Sequence, residues 1–179
     1  MTRLALPPSH PDFPHPALLH AICAVAARYS ATASVCTVQE ILARRVSSLN
    51  RYEDAYNETC FGEKHYKFCM LEMRYDNCQG PKLFELLQAQ ILVMQYILQT
   101  SRWLEGWTLI GSMTRTSIAL GLMDDVSGSI LPRPKSDHER EERRAAVAEV
   151  IALDAAFSAS GNWPGTLPQG EMVSDEDTP

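Results

Sequence analysis

The sequence predicts an all-α fold, a single helical domain of about six helices that form an incomplete helical array. Apolar residues recur about every three to four positions in several segments, the spacing that lines side chains along one face of an α-helix. No segment alternates apolar and polar residues as a half-buried strand does. Hydrophobic residues make up 45% of the 179 residues and charged residues 21%, so a folded core is expected.

The chain is predicted to divide into an extended, Pro-rich lead-in over residues 1–15, a helical domain over 16–165 and an acidic tail over 166–179. Pro16 suits the first position of a helix, where a backbone N–H has no partner to lose. This first helix is expected to bury one stripe of side chains, formed by Leu18, Leu19, Ile22, Cys23, Ala26 and Tyr29.

Two further helices are predicted before the centre of the chain. Thr37 and Glu40 have the spacing of a capping box, in which each side chain accepts from the backbone N–H of the other residue. A second helix should therefore start at Thr37 and run to about Asn57. A third, from about Glu63 to Tyr75, is expected to face inward with Tyr66, Cys69, Met70 and Met73.

The next two helices are predicted to form the centre of the core. Apolar residues go most of the way round segment 81–100, which indicates a helix packed on several sides. A turn at Ser101 leads into a fifth helix, where Gly111 should leave room for a neighbouring backbone and Gly121 suits a left-handed cap. The inward stripe of this fifth helix is predicted as Trp107, Ile110, Gly111, Thr114, Ile118 and Leu122.

A surface loop over residues 124–135 should precede the last helix, because glycine, serine and proline are frequent there. Ser136 and Glu139 form a second capping-box pattern, which predicts a helix from that point to about Ser160. Its inward stripe is predicted as Val147, Val150, Ile151, Asp154 and Phe157.

Asp154 is the first candidate site residue, because an unpaired carboxylate on an apolar stripe would be costly. Arg144 lies ten residues earlier on the same helix and cannot reach it, so Arg115 is the predicted cation. We expect a structural ion pair that fixes helix register, with ligand binding as the alternative. Trp107 is interpreted as a core or helix-end anchor, although an aromatic pocket for a small molecule would use the same residue type.

No metal or cofactor site is assigned to this chain. Two patterns resemble such a site but lack its spacing: the possible zinc ligands include no close Cys-x-x-Cys pair, and the aspartate pair lacks the spacing of a magnesium-diphosphate site. The sequence also has no phosphate loop, nucleophile elbow or zinc-protease helix, so an enzyme is not expected. The residues weighed were Cys60, His65, Cys69 and Cys78 for zinc, and Asp124 and Asp125 for magnesium.

Charge and cysteine usage limit the partners of the chain. The formal net charge is -6, which repels a phosphate backbone, so DNA contact is expected only through a separate module. The odd number of cysteines, five, favours a reducing compartment over a secreted disulfide framework. No apolar run reaches the ~18 residues of a membrane span, so no membrane association is expected.

Three segments resemble the fungal-specific transcription factor domain, the middle homology region of zinc-cluster regulators. The opening helix of that family is similar to HPALLHAICAVAARYS (15–30), and its two adjoining core helices resemble LQAQILVMQY (87–96) and WTLIGSMTRTSIALGL (107–122). Its arginine-led last helix is similar to EERR (141–144), followed by Leu153-Asp154 and SGNWP (160–164).

The resemblance implies the regulatory domain of a nuclear fungal transcription regulator that senses an effector or binds a partner. The expected partners are proteins or a small-molecule effector, and the sequence leaves a homodimer open. Zinc is expected only in a paired-zinc, six-cysteine DNA-binding module that these residues do not contain. A helical protein-interaction scaffold is the alternative function, and a helical enzyme with a dispersed site is less favoured.

Overall fold

The computed structural model describes residues 3–30, 55–56, 58–75, 81–123 and 130–167. These residues contain five α-helices and no strand, which confirms the predicted all-α fold. The predicted helix from Thr37 to Asn57 lies outside the described residues except for its last turn, where residues 55 and 56 are helical. The helices are α1 (Pro16–Ala26), α2 (Phe61–Tyr75), α3 (Pro81–Gln99), α4 (Trp103–Ala119) and α5 (Asp137–Gly161).

Helix α3 is the centre of the core, as predicted. It contacts all four other helices, whereas α1 packs mainly on α2 and α3, and α5 mainly on α4 and α3. Its side chains Leu87, Val93, Met94 and Ile97 have no solvent exposure. A helix buried on several sides therefore holds the two pairs, α1 with α2 and α4 with α5, together.

The fully buried face of α1 is made of alanines, and the predicted stripe was only partly right, since Leu18, Leu19 and Cys23 are half-buried. Ala17, Ala21 and Ala24 have no exposure, whereas Ile22 and Tyr29 are 47% and 82% exposed. The distance between packed helices depends on the side chains at their contact. Because alanine carries one methyl group, α1 can lie close to both α2 and α3, and the larger Leu18 and Val25 pack at the margin of the core.

Helix α4 is likewise rotated from its predicted orientation by about one residue. Ile118 of the predicted stripe is 58% exposed, and Trp107 is 37% exposed. Ile110 and Thr114 are buried as expected. The full buried face of α4 consists of Gly106, Leu109, Ile110, Met113, Thr114 and Ser117.

The ends of the helices follow the local sequence closely. Pro16 is the first residue of α1, as predicted. The Ser136 hydroxyl accepts from the Glu139 N–H at 3.1 Å, which confirms the predicted cap of α5. The Glu139 carboxylate reaches back to the N–H of Lys135, at 2.8 Å, one residue further than in the standard capping box. Gly121 has φ 67°, which confirms the left-handed position after α4.

The lead-in folds into turns in place of the expected extended conformation. A short 3-10 helix covers Arg3–Ala5, and the N–H groups of His10 and Phe13 each donate three residues back. The buried Glu85 carboxylate on α3 accepts from the Arg3 side chain and, at 2.6 Å, from the His15 N–H. This carboxylate fixes the lead-in onto the central helix.

Candidate functional site

An open groove of about 420 Å³ runs over α3 between α1 and α5. Small-molecule sites in proteins have volumes of about 300–1,000 Å³ and mostly apolar walls, and this groove has both properties. It is therefore the candidate functional site. Its walls are formed by Leu18 of α1, by Gln88, Ile91 and Leu92 of α3, and by Glu142, Ala145, Ala146 and Glu149 of α5.

The floor of the groove is apolar because α3 is apolar on most of its sides. The part of α3 that carries Ile91 and Leu92 is only half-buried, since α1 and α5 leave a gap above it. Ala145 and Ala146 face this floor with one methyl group each, so the α5 wall adds little bulk. The sequence did not predict this gap, because a gap between two helices depends on how the helices are placed.

Two carboxylates stand on the α5 wall of the groove. Glu142 and Glu149 lie seven positions apart on one helix, which separates them by about 10.5 Å along its axis. Glu149 accepts from Gln95 Nε2 at 3.4 Å, and Glu142 lies 3.4 Å from His138 Nε2. Within the described part of the chain, no lysine or arginine forms a salt bridge with either of them.

The other acids in the first turns of α5 are paired with arginines along the helix. Glu139 bonds Arg143 at 2.7 Å, and Glu141 bonds Arg144 at 3.1 Å. Arg144 is exposed and turned to solvent, so this site candidate takes no part in the groove. The groove therefore has an apolar middle and a negative charge toward each end.

A buried polar network joins α2, the last turn of α3 and the start of α4. Arg102 Nη2 bonds Glu63 Oε2 at 2.6 Å, and the Tyr96 hydroxyl donates to the same oxygen at 3.1 Å. The Tyr66 hydroxyl donates to Glu105, and its ring lies 4.5 Å below the Arg102 guanidinium carbon. Burial, followed by the nearby carboxylates, raises the pKa of both tyrosines, so each phenol stays protonated and acts as a donor.

Two histidines meet between α1 and α2. His20 Nδ1 and His65 Nδ1 are 2.7 Å apart, so one ring must donate its N–H to the other. Phe68 stacks on His20, and Phe61 packs against His65. Burial lowers the pKa of both imidazoles, and the His20 charge followed by that of Lys64 lowers the pKa of His65 further. Protonation of both rings would place two N–H donors face to face.

Acidification is therefore expected to destabilise the protein through this pair. Both folded-state pKa values lie below the ordinary 6.5, so just below pH 6.5 the unfolded chain binds more protons than the folded chain. The free energy of unfolding should be highest above about pH 6.5 and fall toward about pH 5. Urea denaturation across this range measures it. The His65→Asn variant should reduce this pH dependence of stability, whereas His138→Gln, an exposed control, should leave it unchanged. If the stability of the His65→Asn variant fell with pH as steeply as that of the wild type, the His20–His65 pair would not be the cause.

Asp154 is buried as predicted, but its predicted partner was wrong. Its carboxylate accepts from the backbone N–H of Thr166 at 3.0 Å and of Leu167 at 3.2 Å. Arg115 is exposed and donates to the Gly111 carbonyl at 3.0 Å. The chain that follows α5 folds back over the helix, so two amides satisfy the carboxylate where a distant arginine was expected.

Gly106, and not Gly111, is the glycine that permits close packing. A Cβ at Gly111 would meet only Arg115 Nη1, at 3.1 Å, so the predicted approach of a neighbouring backbone was wrong. A Cβ at Gly106 would lie 2.8 Å from Met94 Cε and 2.9 Å from Phe157 Cζ. A glycine inside a helical pattern was the one available signal for this contact.

Trp107 lies at the edge of the α4–α5 contact. Its ring meets that of Trp163 edge-on, with 5.5 Å between the centroids, and Trp103 contacts Phe157. Trp107 is 37% exposed and does not line the groove. The tryptophans thus cover the end of α5 while keeping part of their surface in solvent.

The residues weighed for zinc are dispersed or used otherwise. Cys60 and Cys69 are buried, His65 pairs with His20, and Cys78 lies outside the described residues. Burial, then the Glu72 charge, raises the pKa of Cys69 to about 12, so its thiol is protonated. No group of three or more metal-ligating side chains occurs in the described ranges. No described helix has the length and apolar character needed to cross a membrane.

Comparison with known families adds one finding. A model of the fungal specific transcription factor domain matches residues 8–160. The match includes every residue that lines the groove and all of the five helices except the last residue of α5. No curated protein and no solved structure matches the chain.

Proposed function

Because the chain belongs to the fungal specific transcription factor domain family, we propose that it is the regulatory middle domain of a fungal zinc-cluster transcription regulator. It senses an effector or binds a partner, and acts in the nucleus. DNA is contacted by a separate zinc-containing module, which these 179 residues do not include. The net charge of -6 supports this division, because an acidic surface repels a phosphate backbone.

The groove between α1, α3 and α5 is the observation that supports a role in effector sensing. Its walls come from three helices that lie far apart in the sequence, so an occupant would contact all three at once. A ligand favours the arrangement of helices with which it makes the better contacts. Occupancy of the groove would thus bias the position of α1 and α5 relative to α3, and a neighbouring module could respond to that change.

Partner binding is the second candidate role, and a different surface favours it. Trp103, Leu104 and Trp107 on α4 are 50%, 68% and 37% exposed. Tryptophan is enriched among the residues that contribute most to protein–protein binding. A protein-interaction scaffold, or a homodimer, would use this face of α4.

We further propose that the chain has no catalytic activity and holds no cofactor of its own. Its family is one of transcription factor domains and not an enzyme family. The buried polar groups of the Glu63–Arg102 network and of Asp154 have partners within the chain, which suits a structural role.

Fusion of the chain to a sequence-specific DNA-binding module is expected to change reporter transcription in fungal cells several-fold relative to the module alone. The expected change follows from a regulatory domain acting on a module to which it is tethered. Ile97→Asp, which places a charge at a fully buried position, should abolish the change because it disrupts the core. A fusion that is folded by circular dichroism yet leaves the reporter at the level of the module alone would overturn the proposal.

A further inference from the structure

We propose that the groove between α1, α3 and α5 binds an organic dication, an apolar chain or body that carries an ammonium group toward each end. This inference rests on the proposed function, since such a ligand would be the effector. Three observations support it: the apolar middle of the groove, the spacing of its two carboxylates, and its volume. Each limits the chemistry of the occupant in a different way.

The middle of the groove requires an apolar ligand body. Leu18, Ile91 and Leu92 supply aliphatic surface, and Ala145 and Ala146 complete the opposite wall. Removing such surface from water is favourable in proportion to the apolar area that a ligand covers. A wholly polar polyamine would leave this contribution unused, so the methylene or aromatic part of the ligand must lie here.

The ends of the groove require positive charge. Glu142 and Glu149 flank the two alanines on one face of α5, about 10.5 Å apart along the helix axis. Neither forms a salt bridge with a lysine or arginine of the described chain, in contrast to Glu139 and Glu141 on the same helix. An anion would be repelled by both carboxylates, whereas an ammonium group can pair with each of them.

The volume of the groove suits a small molecule, because sites for such ligands have volumes of about 300–1,000 Å³. The groove has about 420 Å³. A linear or lightly branched dication fits this space with its two ends at the two carboxylates.

The test uses three probes that differ only in their end groups: 1,8-diaminooctane, 1,8-octanediol and octanedioate. Titration calorimetry with the full chain at low salt is expected to give the tightest binding for the diamine and none for the dianion. Binding of the diamine should weaken as salt is added, because solvent-exposed ion pairs are screened. Methyl signals of Leu18, Ile91 and Leu92 in NMR spectra should shift on addition of the diamine.

Matched variants identify the carboxylates that matter. Glu142→Gln/Glu149→Gln should weaken diamine binding about tenfold, as expected for the loss of two partly exposed ion pairs. Asp137→Asn/Glu141→Gln removes the same charge from the same helix outside the groove, and should leave the affinity unchanged. Glu142→Lys/Glu149→Lys should reverse the preference, so that octanedioate binds and the diamine does not.

Equal affinity for the diamine and the diol would overturn the proposal. So would an equal loss of diamine binding in Glu142→Gln/Glu149→Gln and in the control Asp137→Asn/Glu141→Gln. So would a basic amphipathic peptide that binds through Glu142 and Glu149 where the diamine fails. The binding assay contains no DNA and no reporter, so it is independent of the transcriptional role. A diamine that binds as expected but leaves the reporter fusion unchanged would contradict effector sensing and leave the binding site standing.

Discussion

Replacement of Arg102 by methionine is expected to lower the free energy of unfolding by about 3–5 kcal/mol, the usual cost of removing one partner of a buried ion pair. The side chains of Arg102 and Glu63 are 11% and 9% exposed. Without the guanidinium, the Glu63 carboxylate keeps only the Tyr96 hydroxyl as a bonding partner among those described. Methionine keeps only the aliphatic part of the side chain, so the change removes both the ion pair and the guanidinium that lies over the Tyr66 ring.

Urea denaturation of the wild-type chain and the Arg102→Met variant measures this effect. Arg140→Met is the matched control, because the Arg140–Asp137 pair has a similar distance of 2.6 Å but lies in solvent, and it should cost less than about 1 kcal/mol. Glu63→Gln/Arg102→Met should be more stable than Arg102→Met alone, since it removes the uncompensated charge. Equal losses for Arg102→Met and Arg140→Met would mean that the network does not stabilise the fold.

Asp154→Ala is expected to cost about 1–3 kcal/mol and to release the segment that follows α5. The carboxylate is the acceptor for the N–H groups of Thr166 and Leu167, and alanine leaves both without it. Hydrogen exchange at these two amides should accelerate, and the free energy of unfolding should fall. Asp154→Asn, which keeps one acceptor oxygen, should give an intermediate loss.

The Arg115→Ala variant tests whether Asp154 is held by the two backbone amides or by the ion pair with Arg115 that the sequence predicted. Arg115 is exposed and, among the described residues, bonds only the Gly111 carbonyl of its own helix, so its removal should change the stability by less than about 0.5 kcal/mol. If Arg115→Ala and Asp154→Ala lowered the stability equally, and the double variant lost no more than either, the ion pair would be restored as the explanation.

The sequence by itself determined where the described helices begin and end, and which one is central. Pro16 starts α1, Ser136 caps α5 and Gly121 takes the left-handed position after α4. Each of these features depends on groups within about four residues, which the sequence places together whatever the rest of the chain does. The central place of α3 could also be predicted, because only a helix covered on several sides can be apolar on most of them.

Only the tertiary structure decided how α1 and α4 are rotated and which side chains meet. The stripe predicted for α1 was wrong at Ile22 and Tyr29, because the alanines of α1 form its fully buried face. Asp154 is bound by amides twelve residues away, and Glu63 meets Arg102 across thirty-nine residues. The groove exists because α1 and α5 leave a gap over α3. Such contacts depend on how whole helices are placed relative to each other, and local helical periodicity carries no information about that placement.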